Sequence, residues 1–196
     1  MSTFWIYLQL GLHHVLDWKG YDHLLFLAAL TLPFTFKDWK KVLALISVFT
    51  LGHTLSLMLA VFGVLTIRPD IVELLIPCTI FITANYGLLT AGKPKKPDCN
   101  GIAIIITLFF GIVHGLGFSN YFSNILSGKP GDKLLPLLEF ALGIECAQAI
   151  IVIAVLALAY VCQNFFRMSK RDWTIAGCAF VAGVSLPMIL GNSLLQ

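Results

Sequence analysis

Charge is what this chain has least of. Asp, Glu, Lys and Arg make up 12% of its 196 residues against 58% hydrophobic, and the mean hydropathy is +0.88. Soluble domains carry about 25% charged residues, so a water-soluble fold is excluded. The five cysteines, at 78, 99, 146, 162 and 178, are scattered and form no CxxC pair, which argues against both a disulfide framework and a thiolate zinc site. The pattern GxxxxGK[ST] is missing, so direct ATP hydrolysis is not expected. Residues 4–12 are apolar but lack a basic flank and a small-residue cleavage site, so no cleavable signal peptide is expected. The net charge of +3 resides mainly in short loops, where membrane topology accounts for it and nucleic-acid binding does not.

Long hydrophobic runs are what the chain has instead. A helix needs roughly 20 mostly apolar residues to cross the hydrocarbon, and such runs tile the sequence between breaks at KDWKK (37–41), TIRPD (66–70), KPKKPDCN (93–100), SGKPGDK (127–133) and RMSKRD (167–172). The spacing predicts an all-α polytopic membrane protein, one transmembrane domain over 1–196. Six spans are expected near 16–36, 42–65, 71–92, 101–122, 134–165 and 173–194, after a short interfacial helix over 1–15. Lys37, Lys40, Lys41, Lys93, Lys95, Lys96, Arg167, Lys170 and Arg171 occupy alternate loops, whereas Lys19, Arg68, Lys129 and Lys133 fall on the other side. The positive-inside bias puts the first set in the cytoplasm and both termini outside. The expected location is the inner (plasma) membrane, with multiple passes. No close internal repeat stands out.

Within these runs several ionisable groups are out of place. Each is expensive in hydrocarbon and is read by default as part of a functional site. His53 lies in FTLGHTLSL, His114 in FFGIVHGLGF, Glu145 in LGIECAQ and Asn85 in ITANYG, while His13, His14, Asp22 and His23 crowd HHVLDWKGYDHLLFL. At ~1.5 Å rise per residue, His53 and His114 stand roughly 18–20 Å above the inner ends of their spans, and Asp22 and His23 about 10 Å below the outer end of theirs. In a core ~30 Å thick these levels coincide, and Glu145 falls near the midplane. Imidazole nitrogens with carboxylate oxygens suit a borderline divalent cation such as Ni, Co, Zn or Fe rather than Mg or Ca. Thr50, Thr54, Ser56, Asn85 and Gln148 are candidates to orient the ligands by hydrogen bonds. Glu73, near a helix start, is explained without function by the helix dipole. Gly111, Gly115 and Gly117 around His114 fit either a broken helix at an ion site or close helix packing.

Taken together, GLHHVLDWKGYDHLLFL, FTLGHTLSL, VELLIPCTIFITANYGL, FFGIVHGLGF and LGIECAQ resemble the HupE/UreJ family of bacterial membrane proteins, described as secondary nickel or cobalt permeases or as hydrogenase and urease accessory proteins. The resemblance covers residues 11–148. Carried over position by position, the family's polar motif residues fall on His14, Asp22, His23, His53, Glu73, Asn85, His114, Glu145 and Gln148. The chain departs from the pattern at Ala84, where members often carry an acidic residue, and at its uncharged end GNSLLQ.

The expected function is a secondary transporter of a divalent transition metal, nickel or cobalt foremost. His14, Asp22, His23, His53, His114 and Glu145 are its metal ligands, with Thr50, Asn85 and Gln148 behind them. The alternative is an intramembrane zinc-dependent hydrolase of a lipid or acyl-linked substrate, with three His/Asp ligands, an open position for water and Glu145 as base. Expected partners are the bilayer, the metal ion and, through the resemblance, hydrogenase or urease maturation proteins.

Overall fold

In the computed structural model, which describes residues 3–93, 99–126 and 130–195, the chain is helical throughout and the described residues contain no strand. Seven α-helices follow in order: α1 (Thr3–Leu16), α2 (Asp22–Thr31), α3 (Trp39–Val61), α4 (Pro69–Thr90), α5 (Cys99–Ile125), α6 (Leu134–Asn164) and α7 (Lys170–Leu190). Five of them, α3 to α7, are long and apolar enough to cross a membrane, and they fall within a few residues of the spans expected from hydropathy. Lys95, Lys96 and Lys129 lie outside the described residues.

The first expected span, 16–36, is where the structure differs. Its helix is only the 10-residue α2, too short to cross alone. Upstream, α1 stops at Leu16 because Asp17 turns the chain: its Oδ1 accepts from the Lys19 N–H at 2.9 Å, and its carbonyl accepts from Gly20 N–H at 3.2 Å. Such local carboxylate-to-backbone bonds compete with a continuing helix. Downstream, Leu32 keeps helical geometry and its N–H donates to the Ala28 carbonyl, and Pro33, which has no N–H with which to continue the ladder, ends α2.

The two short helices nevertheless share one course. Ring contacts step down α5 in order: Tyr7 on Phe122 (6.5 Å), His14 on Phe118 (3.9 Å), His23 on His114 (5.2 Å), Phe26 on Phe110 (6.0 Å). Thus α1 and α2 run antiparallel to α5 as a single track interrupted at 17–20. Where an interfacial segment is expected over 1–15, α1 packs along α6 and carries His14 inward.

Two helix pairs approach more closely than side chains would allow. A Cβ placed on Gly52 of α3 would strike the Leu108 carbonyl of α5 and lie 3.1 Å from Ile112 N; one on Gly111 would strike the Phe49 carbonyl. On α1 and α6, Gly11 and Gly143 face each other in the same manner. Without side chains at the crossing the backbones come together and gain dispersion contacts that a larger residue would forfeit. This settles the role of the glycines around His114: α5 is unbroken from Cys99 to Ile125, and Gly111 and Gly115 serve packing. The break in the fold lies between α1 and α2 instead.

The basic loops meet at one end of the bundle. The Thr174 hydroxyl donates to the Leu32 carbonyl at 3.3 Å, Phe36 lies 6.2 Å from Tyr160, and Arg171 covers Gly92.

Candidate metal centre

The interrupted track delivers His14 from the last turn of α1 and His23 from the first turn of α2. His53 comes from the middle of α3 and His114 from α5. His23, His53 and His114 are buried, and His14 is half-buried. Ring centroids lie 4.7 Å apart for His14–His23, 5.6 Å for His14–His53, 5.7 Å for His23–His53 and 5.2 Å for His23–His114. His14, His23 and His53 each present one nitrogen within 4.8 Å of the other two. Nitrogens held at ~2.1 Å by one tetrahedral ion are about 3.4 Å apart, so each pair needs to close by at most about 1.4 Å.

Hydrogen bonds fix which nitrogen faces inward. His114 Nδ1 lies 2.8 Å from the Phe110 carbonyl, which only accepts, so Nδ1 carries the proton and Nε2 a bare lone pair. His23 Nδ1 donates to Asp22 Oδ1 at 3.3 Å, again leaving Nε2 free. Orientation of an imidazole by a carboxylate or carbonyl behind it is the usual support of a metal ligand. The inward nitrogens have no partners among the described residues: Nε2 of His14, His23 and His114 and both nitrogens of His53 are buried and unbonded. Several unsatisfied polar atoms at one buried place call for a common partner. Neutral imidazoles with bare lone pairs fit a divalent transition metal.

Aromatic rings wall the cluster. Phe26 and Phe49 lie 5.2 and 5.1 Å from His114, Phe140 lies 5.8 Å from His14, and Phe118 lies 3.9 Å over His14. On the open side a cleft of about 200 Å³ is lined by His14, Asp17, Asp22, His23, Glu73 and His114, among others. It adjoins a wider one of about 700 Å³ along His13, Asp17, Trp18 and Tyr121. The carboxylates of Asp17, Asp22 and Glu73 give this mouth a negative field that draws cations inward.

Of the expected ligands, the structure brings His14, His23, His53 and His114 together and sets Asp22 behind His23. Glu145 stands apart. Its Oε1 accepts from Ser47 at 2.5 Å, the one hydrogen bond it makes among the described residues, and it is not one of the group that converges on a common point. Thr50 and Gln148 bond each other at 3.0 Å between α3 and α6. Asn85 donates to Phe81 of its own helix at 2.8 Å, and Ser56 donates to the His53 carbonyl at 2.9 Å. One acidic residue gains a place that sequence reasoning did not give it, and Glu73, a motif position of the family resemblance, gains one beyond the helix dipole. Asp17 lines both clefts, and its position three residues after His14, on the same helical side, was the available signal. Glu73, explained above by the helix dipole, lines the inner cleft. Glu139, buried with an unbonded Oε2, had no signal beyond its charge.

Apolar helices of membrane-spanning length around a buried imidazole cluster define a polytopic membrane protein built about a polar intramembrane centre. No curated protein and no solved structure matches the chain. A family model described as HupE / UreJ protein matches residues 1–190, and the chain belongs to the HupE/UreJ family.

Proposed function

We propose that the protein is a secondary permease for a divalent transition metal, nickel or cobalt foremost, and that the ion is bound in transit by His14, His23 and His53 with His114 beside them. The observation that carries this reading is the set of buried, unbonded imidazole nitrogens converging within 4.8 Å. The acidic cleft leads a cation to that point, and the half-buried His14 under Phe118 is the first ligand it meets. Nitrogen donors without thiolates favour nickel, cobalt or zinc over magnesium and calcium, and the family membership favours nickel and cobalt.

The interrupted α1–α2 track supplies the sixth crossing in this reading. The shared basic end of the bundle then faces the cytoplasm under the positive-inside rule, with both termini outside the inner membrane. Hydrogenase or urease maturation proteins are the recipients the family points to. The zinc hydrolase lacks its expected base, because Glu145 is bonded to Ser47 rather than to the imidazole cluster.

The test is metal content and titration of the detergent-purified protein. The expected result is little metal retained on purification, saturable binding of Ni(II) or Co(II), loss of that binding in His53→Ala, and its retention in Glu145→Gln. Absence of binding under all conditions overturns the proposal. Tight stoichiometric zinc that survives purification also overturns it and turns the search to hydrolysis.

A further inference from the structure

Two short patterns recur along the chain. Leu8, Gly11, Leu12, His14 and Leu16 of α1 reappear as Leu108, Gly111, Ile112, His114 and Leu116 of α5; Phe49, Leu51 and Gly52 of α3 reappear as Phe140, Leu142 and Gly143 of α6. Neither is long enough to be noticed as a repeat in sequence. In three dimensions they correspond contact by contact. A Cβ on Gly52 would meet Leu108 O and Ile112 N; a Cβ on Gly143 would meet Leu8 O and Leu12 N. A Cβ on Gly111 would meet Phe49 O; a Cβ on Gly11 would meet Phe140 O. Exchanging α1 with α5 and α6 with α3 converts each contact into its counterpart. The rings obey the same exchange: His14 lies 5.8 Å from Phe140 and His114 lies 5.1 Å from Phe49.

The exchange reverses direction. Gly111 meets Phe49 while Gly115, a turn later, meets His53 and Ser56, so α3 and α5 run parallel. The stepwise contacts of Tyr7 and His14 with Phe122 and Phe118 make α1 antiparallel to α5. An operation that maps α1 onto an antiparallel α5 has its two-fold axis across the helices, in the plane of the membrane. α4 and α7, the third helix of each half, pack on each other. Inverted halves around a midplane ion site are the architecture in which one half rocks against the other to open the site to alternate sides.

We infer that the chain consists of two inverted halves, α1–α4 and α5–α7, with α2 as an insertion in the first. We further infer that the cleft open along α1 has a closed counterpart along α5, which is the route by which the ion leaves. This rests on the permease reading. The two routes are in opposite states here. Along α1, His13 is exposed, Leu16 is 41% exposed and Trp18 85%. Their counterparts Val113 and Leu116 are 3% and 8% exposed. Phe118, which covers His14, has Trp18 as its counterpart, seven residues beyond the corresponding glycine. In the opposite state the α5 face opens past Val113 and Leu116, the α1 face closes, and Trp18 takes up over His114 the position Phe118 holds over His14.

The experiment is side-specific thiol labelling in a background whose five native cysteines are replaced by Ala or Ser, combined with uptake of radiolabelled nickel into proteoliposomes. A membrane-impermeant maleimide is expected to label Leu16→Cys from the face carrying the Ile125 end of α5. It is expected to label Val113→Cys and Leu116→Cys from the opposite face only. Nickel is expected to change the two sets of rates severalfold in opposite directions. Two variants on the α5 face guard against one that fails to fold, and Leu16→Cys labelling reports that the bundle is intact. Uptake with both α5-face cysteines unreactive from either side, or reactive from the same face as Leu16→Cys, overturns the inverted arrangement and leaves the permease standing. Reciprocal labelling without nickel or cobalt uptake supports the two-sided arrangement and removes the proposed cargo.

Discussion

The Gly52→Ala substitution tests the packing on which the candidate metal centre depends. Its new methyl group would collide with the Leu108 carbonyl and sit 3.1 Å from Ile112 N and 3.3 Å from Gly111 C. These are backbone atoms of a continuous helix and cannot turn aside, so α3 and α5 have to separate, by about 1 Å to restore ordinary van der Waals distances. A gap of roughly 0.5–1 Å forfeits a quarter to a half of each dispersion contact it opens, and overpacking of this kind costs about 1–3 kcal/mol. For a chain of this size each kcal/mol is about 2–4 °C in Tm, so a fall of roughly 4–8 °C is expected for a 2 kcal/mol loss. The same displacement carries His53, next to Gly52, away from His114, and metal affinity falls along with stability. Thermal unfolding in detergent and calorimetric titration with Ni(II) measure the two effects. Gly143→Ala, which meets Leu8 and Leu12 in the same way, is expected to match it in stability loss. A Gly52→Ala protein that unfolds and binds metal like the wild type refutes the close-packing account.

Further expectations concern the ligands themselves. Asp22→Asn keeps a hydrogen bond to His23 Nδ1 but removes the charge behind the ring, and is expected to lower metal affinity about 10–100-fold, measured by titration. Imidazoles bind metal only when neutral, so protons compete with the metal for the same lone pairs; affinity is expected to fall once the pH is low enough to protonate the cluster, measured by titration across a pH series, and an affinity unchanged down to the pH at which the protein unfolds refutes histidine ligation. Phe118→Ala uncovers His14 and is expected to speed metal release severalfold in stopped-flow exchange while leaving the number of bound ions unchanged. Asp17→Asn with Glu73→Gln is expected to slow metal association, most at low ionic strength where the field of the mouth is least screened; an equal effect at high salt argues against a steering role.

Depth was legible for the histidines and less so for Glu145. Counting residues from the ends of apolar runs placed His23, His53 and His114 at one level, because rise per residue is fixed by the helix. The same count put Glu145 near them, yet its carboxylate meets Ser47, six residues or about 9 Å nearer the inner end of α3 than His53; the level and facing of a residue in a long helix depend on tilt and neighbours that a run without marked amphipathicity does not reveal. Hydropathy likewise measures how much apolar sequence is present and is blind to continuity. It therefore located α3 to α7 closely and merged the turn at 17–20 into a span. The glycines of GIVHG read equally as a break or as a contact, and only the Phe49 carbonyl opposite Gly111 decides between them. The two inverted halves escaped notice because what they conserve is a few positions at which backbones touch.

The interruption between α1 and α2 has a consequence for the solvent. A helix end leaves its last carbonyls and the next helix's first N–H groups without intrahelical partners, and in hydrocarbon each such group costs several kcal/mol. Broken backbone at that depth is tolerable where it is buried in protein or lines a water-filled cavity, and the cleft along Asp17 and Gly20 is where water reaches it. With α1–α2 read as a crossing, the turn at 17–20 sits in a hydrated notch partway through the bilayer. On the permease reading proposed above, a divalent ion approaching His14 need not shed its hydration shell at the membrane surface. It would stay wet to within a side chain of the imidazoles, and the insulating layer left to cross dry would be only the part of the protein that lies beyond them.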